Sequence, residues 1–223
     1  PQLSLVLPGA PASQFHSTVV ESRSRKPRRA GSLIRQALYL DQEDAYAAGE
    51  VGFLARALVQ ATLPHSDPKT NEYSGNLAKS WAWVDDKTLD VELREGIKFH
   101  NGEAFDADDV AYTLNFVSKA ENKVVTQTNV SWIESAEKLA PFKVRIKLKK
   151  PFPAAIEYLA GPVVIHPNEY YEKVGPKGMN TAAVGSGPYK VVEHVPGKLL
   201  RIPGNKDYFK DSPKGQPKVD KLE

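Results

Sequence analysis

Apolar and polar positions alternate most clearly over residues 88–94, where Leu89, Val91 and Leu93 interleave with Asp90, Glu92 and Arg94. A period of two puts successive side chains on opposite faces, so this segment predicts a strand with one dry face and one wet face. Residues 142–149 repeat the pattern, with Phe142, Val144, Ile146 and Leu148 against Lys143, Arg145, Lys147 and Lys149. Residues 77–84 lead into a turn at Asp85-Asp86-Lys87, and Asn101-Gly102 suits a tight reversal because both residues tolerate positive φ. These pieces predict a small antiparallel meander.

Helical spacing appears elsewhere. Over residues 44–63, Ala47, Ala48, Val51, Leu54, Ala55, Leu58 and Val59 recur at three and four residue intervals, which predicts a helix packed on one face. A second helix opens at Asp106, which can cap free N–H groups, with Asp108 and Asp109 at the positive end of the dipole and Val110, Leu114 and Val117 as its buried stripe. Pro151-Phe152-Pro153 predicts a short helix through Leu159, followed by an apolar strand at residues 162–166 and a polar helix over residues 168–174. Residues 184–189 (VGSGPY) then enter a strand at residues 190–193, turned back by Val195-Pro196-Gly197-Lys198 into residues 199–202. Helices and strands are interspersed without strict βαβ alternation, so the pattern predicts an α/β fold with a mixed sheet.

Composition changes this picture little, whereas charge placement changes it more. The 223 residues are 41% hydrophobic and 26% charged, which is ordinary globular usage. The net charge of +3 is concentrated in residues 1–30, where Arg23, Arg25, Lys26, Arg28 and Arg29 face only Glu21. The remainder therefore sums to −1 and lacks the basic excess of a nucleic-acid-binding face, so no nucleic-acid partner is expected. Residues 1–31 read as an irregular or signal-derived tail, with Ala10-Pro11-Ala12 similar to a leader cleavage site. The absence of cysteine excludes disulfides and thiolate chemistry. His16, His65, His100, His166 and His194 show no metal-binding spacing, so neither metal nor cofactor is expected.

Catalytic patterns are missing too. Gly185-Ser186-Gly187 lacks the lysine of a phosphate loop, and Pro188 would break the helix that a nucleophile elbow needs next. The acids at 106, 108 and 109 are accounted for by a helix start. A hydrolase reading built on them with a histidine ranks below binding.

Several motifs occur in an order that resembles one family. Asn76-Leu77-Ala78-Lys79-Ser80-Trp81 looks like its "LAxSW" element, and residues 93–102 (LREGIKFHNG) are similar to its "LRxGVKFHDG" hairpin. Residues 105–110 resemble its "hTAxDV" helix start, residues 184–189 its "VGTGPY" return strand, residues 205–209 its "NPDYW", and residues 217–221 its "PKVDKI". This ordered set resembles the peptide/nickel-type solute-binding proteins of ABC transporters, family five of the bacterial extracellular solute-binding proteins.

The resemblance implies a periplasmic-binding-protein-like type II fold. Residues 32–63 would start lobe I, residues 64–183 would form the small subdomain with its connections, and residues 184–223 would supply the return strands. A second lobe would lie beyond this chain. The implied function is the capture of a peptide or similar small solute for transport. The protein would be a monomeric, non-enzymatic receptor in the periplasm or elsewhere outside the cytoplasm, delivering to ABC permease subunits in the membrane. The alternative is a ligand-sensing domain of a transcription regulator with a basic N-terminal arm.

Trp132 is the leading ligand candidate by resemblance, since an indole can cover an apolar or cationic solute. Packing the subdomain onto its neighbour is the equal alternative. Ser186, Gly187 and Tyr189 follow as backbone or hydroxyl contacts, with Tyr189 also read as sheet packing. Tyr39 and Asp41, in the segment replacing the family's "LDP"-like loop, come next. His166 is a remote candidate for a metal chelate.

Overall fold

The computed structural model describes residues 2–3, 59, 61–67, 69–124, 127–195 and 199–222. The expected first strand at residues 32–40, most of the helix at 44–63, and candidates Tyr39 and Asp41 lie outside them.

The alternating segments at 88–94 and 142–149 become strands as expected, residues 78–85 join them, and residues 133–140, for which no strand was expected, add a fourth. β4 (Ala78–Asp85), β5 (Thr88–Leu93), β6 (Ile133–Ala140) and β7 (Lys143–Leu148) form an antiparallel sheet in the order β4-β5-β7-β6. Register places Leu89 opposite Ile146 and Val91 opposite Val144, so the dry faces of β5 and β7 coincide. All four side chains are buried. On the wet face, Arg145 grips Asp90 through Nε and Nη2 at 2.7 and 2.9 Å, Lys147 pairs with Glu137 at 2.5 Å, and Lys143 lies 4.0 Å from Glu92. The cationic stripe of β7 is thus neutralised by carboxylates on the neighbouring strands.

Helix α1 (Ala107–Ser118) covers the dry face with Val110 and Leu114 fully buried and Val117 at the margin. Asp106 caps it, accepting the Asp108 N–H at 2.7 Å, while Asp109 Oδ2 accepts the Asp106 N–H at 2.9 Å. At the other end, Asn122 and Gln127 side-chain amides donate to the carbonyls of Phe116, Val117 and Ser118, satisfying groups that a helix C-terminus leaves free. Asn115 reaches from the helix to edge strand β6. Its Nδ2 donates to the Ala136 carbonyl at 2.7 Å and its Oδ1 accepts the Ala136 N–H at 2.9 Å.

β2 (Pro64–Ser66) and β3 (Tyr73–Gly75) form a separate hairpin, α2 (Gln127–Val130) precedes β6, and α3 (Ala155–Ala160) packs against β2. A third sheet has the order β1-β10-β9-β8, built from β1 (Gln2–Leu3), β8 (Glu193–Val195), β9 (Leu199–Pro203) and β10 (Lys221–Leu222). Its β1–β10 pair is parallel and its other pairs antiparallel, giving the mixed sheet.

Four expectations change. Gln2–Leu3, read as part of an irregular tail, pairs with β10 near the other end of the chain, a partner that local sequence cannot reveal. Ala61 and Thr62 are not helical, so the expected helix stops short of Leu63. Val163, Val164 and Ile165 are buried, but residues 162–166 form no strand; Ile165 donates to Ala61, while Pro162 and Pro167 bring no N–H to a ladder. The regular part of the return strand starts at Glu193, although Lys190 and Val192 already donate to Pro203 and Arg201. The polar helix is α4 (Asn168–Thr181). It breaks at Gly175, with φ 64°, just before Pro176, and therefore close to its expected end.

Candidate functional site

Residues 185–189 are where the return chain meets the rest of the molecule. Ser186, Gly187 and Tyr189 lie together in this buried stretch. The Gly187 N–H donates to the Val59 carbonyl at 2.8 Å, and the Asn205 N–H donates to the Pro188 carbonyl at 2.8 Å. The Tyr189 hydroxyl accepts the Val219 N–H at 3.4 Å, while burial raises its pKa. Ser186 is 1% exposed and its Oγ has no hydrogen-bond partner among the described residues. A buried hydroxyl left this way is costly unless something fills the role.

The segment is gripped by His100, on the hairpin that Asn101-Gly102 turns. The His100 backbone N–H donates to the Gly185 carbonyl at 2.8 Å, Nε2 lies 2.9 Å from the Gly187 carbonyl, and Nδ1 lies 3.3 Å from the Gly185 N. Burial, with a smaller push from the Lys190 charge, lowers the pKa of His100. Asn205 adds a side-chain bond to the Gly187 carbonyl at 3.3 Å. Nearby, Asn76 Nδ2 donates to the Thr62 carbonyl, and Ser212 Oγ donates to Asn76 Oδ1 while meeting the Tyr208 hydroxyl at 2.6 Å. Sequence reasoning missed His100, Asn205 and Asn76 as organisers. The signal was present for all three, since His100 sits in the hairpin motif, Asn76 opens the motif at residues 76–81 and Asn205 opens that at residues 205–209.

Trp132 sits elsewhere. It is 5% exposed, its Nε1–H donates to the Asn129 carbonyl at 2.8 Å, and its ring stacks on Phe152 with centroids 5.1 Å apart. The arrangement is that of the packing alternative: the indole is covered and its polar edge satisfied. His166 rests 4.9 Å from the Tyr171 ring, and its backbone N–H donates to Thr113 Oγ1. Among the described residues no three His, Cys, Asp or Glu side chains converge as a metal cluster would. Asp108 is paired with Lys138 at 2.5 Å, and Asp109 Oδ1 accepts the Asn168 N–H at 2.9 Å. Helix ends and pairing thus employ the acids once considered for catalysis.

An open groove of about 600 Å³ lies at the opposite end of the β6–β7 hairpin from Trp132, between Arg94, Glu95, Phe142, Phe209 and Asp211. Arg94 spends its Nε and Nη2 on the carbonyls of Asn76 and Gly75. No described helix is long and apolar enough to cross a membrane.

A meander capped by one helix, tied to a return sheet through a glycine segment, defines a periplasmic-binding-protein-like type II architecture, of which this chain carries part. The chain belongs to the bacterial extracellular solute-binding proteins, family 5, whose middle-region model matches residues 72–223. It is 29% identical over 146 residues to the nickel-binding protein NikA of Staphylococcus aureus, covering 66% of this chain and 27% of the relative. It is 24% identical over 228 residues to the oligopeptide-binding protein AppA of Bacillus subtilis, covering 95% of this chain and 40% of the relative.

Similar solved structures include NikZ of Campylobacter jejuni in complex with Ni(L-His), at 29% identity and TM-score 0.66 over 74% of this chain and 33% of that one. AgaA of A. tumefaciens R10 with agropinic acid gives 28% identity and TM-score 0.70 over 80% of this chain and 36% of that one. The chain therefore spans well under half the length of these relatives.

Proposed function

We propose that this chain is part of the extracytoplasmic solute-binding component of an ABC importer, and that it captures a peptide or similar small solute and hands it to membrane permease subunits. The observation that carries this reading is the family match across residues 72–223, in a chain whose buried Asp109 is consumed by two backbone N–H groups at helix starts. Capture of this kind needs tighter binding to one conformation than to another, and no bond chemistry. The protein works as a monomer and not as an enzyme. Relatives named for nickel and oligopeptides, and structures holding Ni(L-His) and agropinic acid, support a small polar solute as the ligand class. Ser186, Gly187 and Tyr189 are the proposed contacts within the described residues, and Ser186 Oγ is the group most in need of a partner. Trp132 joins them only if a bound solute uncovers it, while Tyr39 and Asp41 enter on resemblance alone. No observation favours the transcription-regulator alternative.

The test is a ligand-dependent thermal shift of the complete gene product against peptides, opines, sugars and nickel chelates. At a free ligand concentration one hundred times Kd, binding to the folded state adds about 2.7 kcal/mol, a shift well above noise. Silence across all four libraries sinks the reading.

A further inference from the structure

His100, part-buried between two elements, is a titratable group that solute capture leaves unused. His100 spans two elements far apart in sequence. One side belongs to the hairpin around the Lys98–Ala104 bridge, and the other faces Gly185 and Gly187. Its two ring bonds dictate one tautomer. Nδ1 can meet the Gly185 N–H only as an acceptor, so the ring proton sits on Nε2, where it is donated to the Gly187 carbonyl. The ring matches the polarity of the backbone on both sides only while it is neutral. A second proton, on Nδ1, would set two donors against each other across 3.3 Å.

The geometry points to His100 as a proton-operated latch: neutral, it fastens the hairpin to residues 185–187; protonated on Nδ1, it releases the Gly185 end of that segment. The surroundings favour the neutral form. Lys190, which follows the segment in sequence, is the charged group facing the ring, and Asn205 approaches the same Gly187 carbonyl from the next loop without charge. Burial is the larger influence in the same direction, and together with Lys190 it outweighs the Gly187 carbonyl, whose hydrogen bond pulls the pKa up. A group held below its unfolded pKa of 6.5 contributes its stabilisation above that value and loses it as pH falls through the lower folded value. The latch is therefore closed at neutral pH and opens on acidification.

The latch holds the stretch that carries Ser186, whose Oγ lacks a partner. If that stretch touches solute, as proposed above, acid should weaken capture through His100. This consequence rests on the binding proposal; the latch does not.

Two measurements on the full 223-residue chain test the latch alone, and the thermal-shift series on the complete gene product tests solute affinity. Long-range imidazole ¹⁵N correlation spectra should show an Nε2–H tautomer at neutral pH. Hydrogen exchange at the Gly185 amide, corrected for intrinsic pH dependence, should rise about tenfold per unit of pH below the titration of His100, as uptake of a single proton requires. His100→Gln keeps a donor and an acceptor but cannot titrate, so its exchange profile should be flat. Lys190→Ala should move the rising limb to higher pH, which keeps the proposal testable if His100→Gln fails to fold. An Nδ1–H tautomer, or Gly185 exchange indifferent to His100 titration, overturns the latch. A working latch in the absence of any solute affinity would instead overturn the binding role of residues 185–189.

Discussion

Asp109→Ala removes a carboxylate that serves two backbone N–H groups at once, those of Asp106 and Asn168. The residue is 3% exposed, and burial pushes its pKa from 3.8 up to about 6, ahead of the opposing pull of those two N–H donors. A raised pKa means that the folded state binds this proton more tightly than the unfolded state does. The contribution to stability is therefore fully present below 3.8 and lost as pH rises through about 6. Integrating between those values, the native chain gains about 2 kcal/mol from Asp109 on going from roughly pH 7.5 to roughly pH 4.5. The alanine variant gains nothing from this site, yet leaves two N–H groups unpaired at a cost of about 1–3 kcal/mol each.

Urea unfolding of both proteins at the two pH values isolates the term, because every other titrating group cancels in the double difference. The penalty of the substitution should be about 2 kcal/mol larger at the lower pH. Asp109→Asn, which keeps one acceptor, should show the same pH signature with a smaller penalty throughout. A double difference of zero, or one in which acid narrows the gap between native chain and variant, refutes the reasoning. It would mean that the carboxylate is stabilised by its surroundings rather than stranded by them.

Other consequences can be checked more briefly. Asn115→Ala strips edge strand β6 of two bonds at Ala136 and should cost about 2–3 kcal/mol in thermal or urea unfolding, whereas a surface alanine substitution on the same helix costs under about 0.5 kcal/mol. Gly75→Ala would place its new Cβ 2.5 Å from the Ala78 carbonyl oxygen and 2.9 Å from that of Lys79, so the hairpin should shift and the midpoint of unfolding fall. A double-mutant cycle on Asp90 and Arg145 should return a small favourable coupling that shrinks as salt is raised, since the pair is bidentate but partly solvated. Trp132→Phe preserves the stack on Phe152 and loses the bond to Asn129. If Trp132 only packs, solute affinity should survive that change in the complete gene product; a drop at unchanged melting temperature would restore it as a contact.

Strands β5 and β7 were legible because each has one wet face, and alternation is the direct imprint of that asymmetry; β6, exposed along most of its length, carries no such pattern and went unread. Leu89, Val91, Val144 and Ile146 are found on the dry face as the pattern required. Val163, Val164 and Ile165 look equally apolar but are buried one after another, and consecutive burial carries no period from which to tell a strand from a packed connection. Asp106 could be read as a cap because its partner is two residues away. The second task of Asp109 could not be read, because Asn168 is 59 residues distant and joins it only in the folded chain. Trp132 shows the limit for a site. An indole suits both a core and a binding surface, and only its satisfied N–H and its cover by Phe152 distinguish the two uses.

The bond between Ser212 and Asn76 closes a loop of 136 residues, which makes it an event in time as well as a contact. At roughly 5–20 residues per second, Asn76 is added to the chain roughly 7–27 s before Ser212. The meander and its covering helix contain all their own strands by residue 148, so they can assemble long before their anchor exists. During that interval the Asn76 side-chain oxygen Oδ1 must be served by water. Chains halted before residue 212 should therefore show a folded sheet beside an exposed, protease-sensitive β2–β3 hairpin, and docking of the last segment would be the step that seals it.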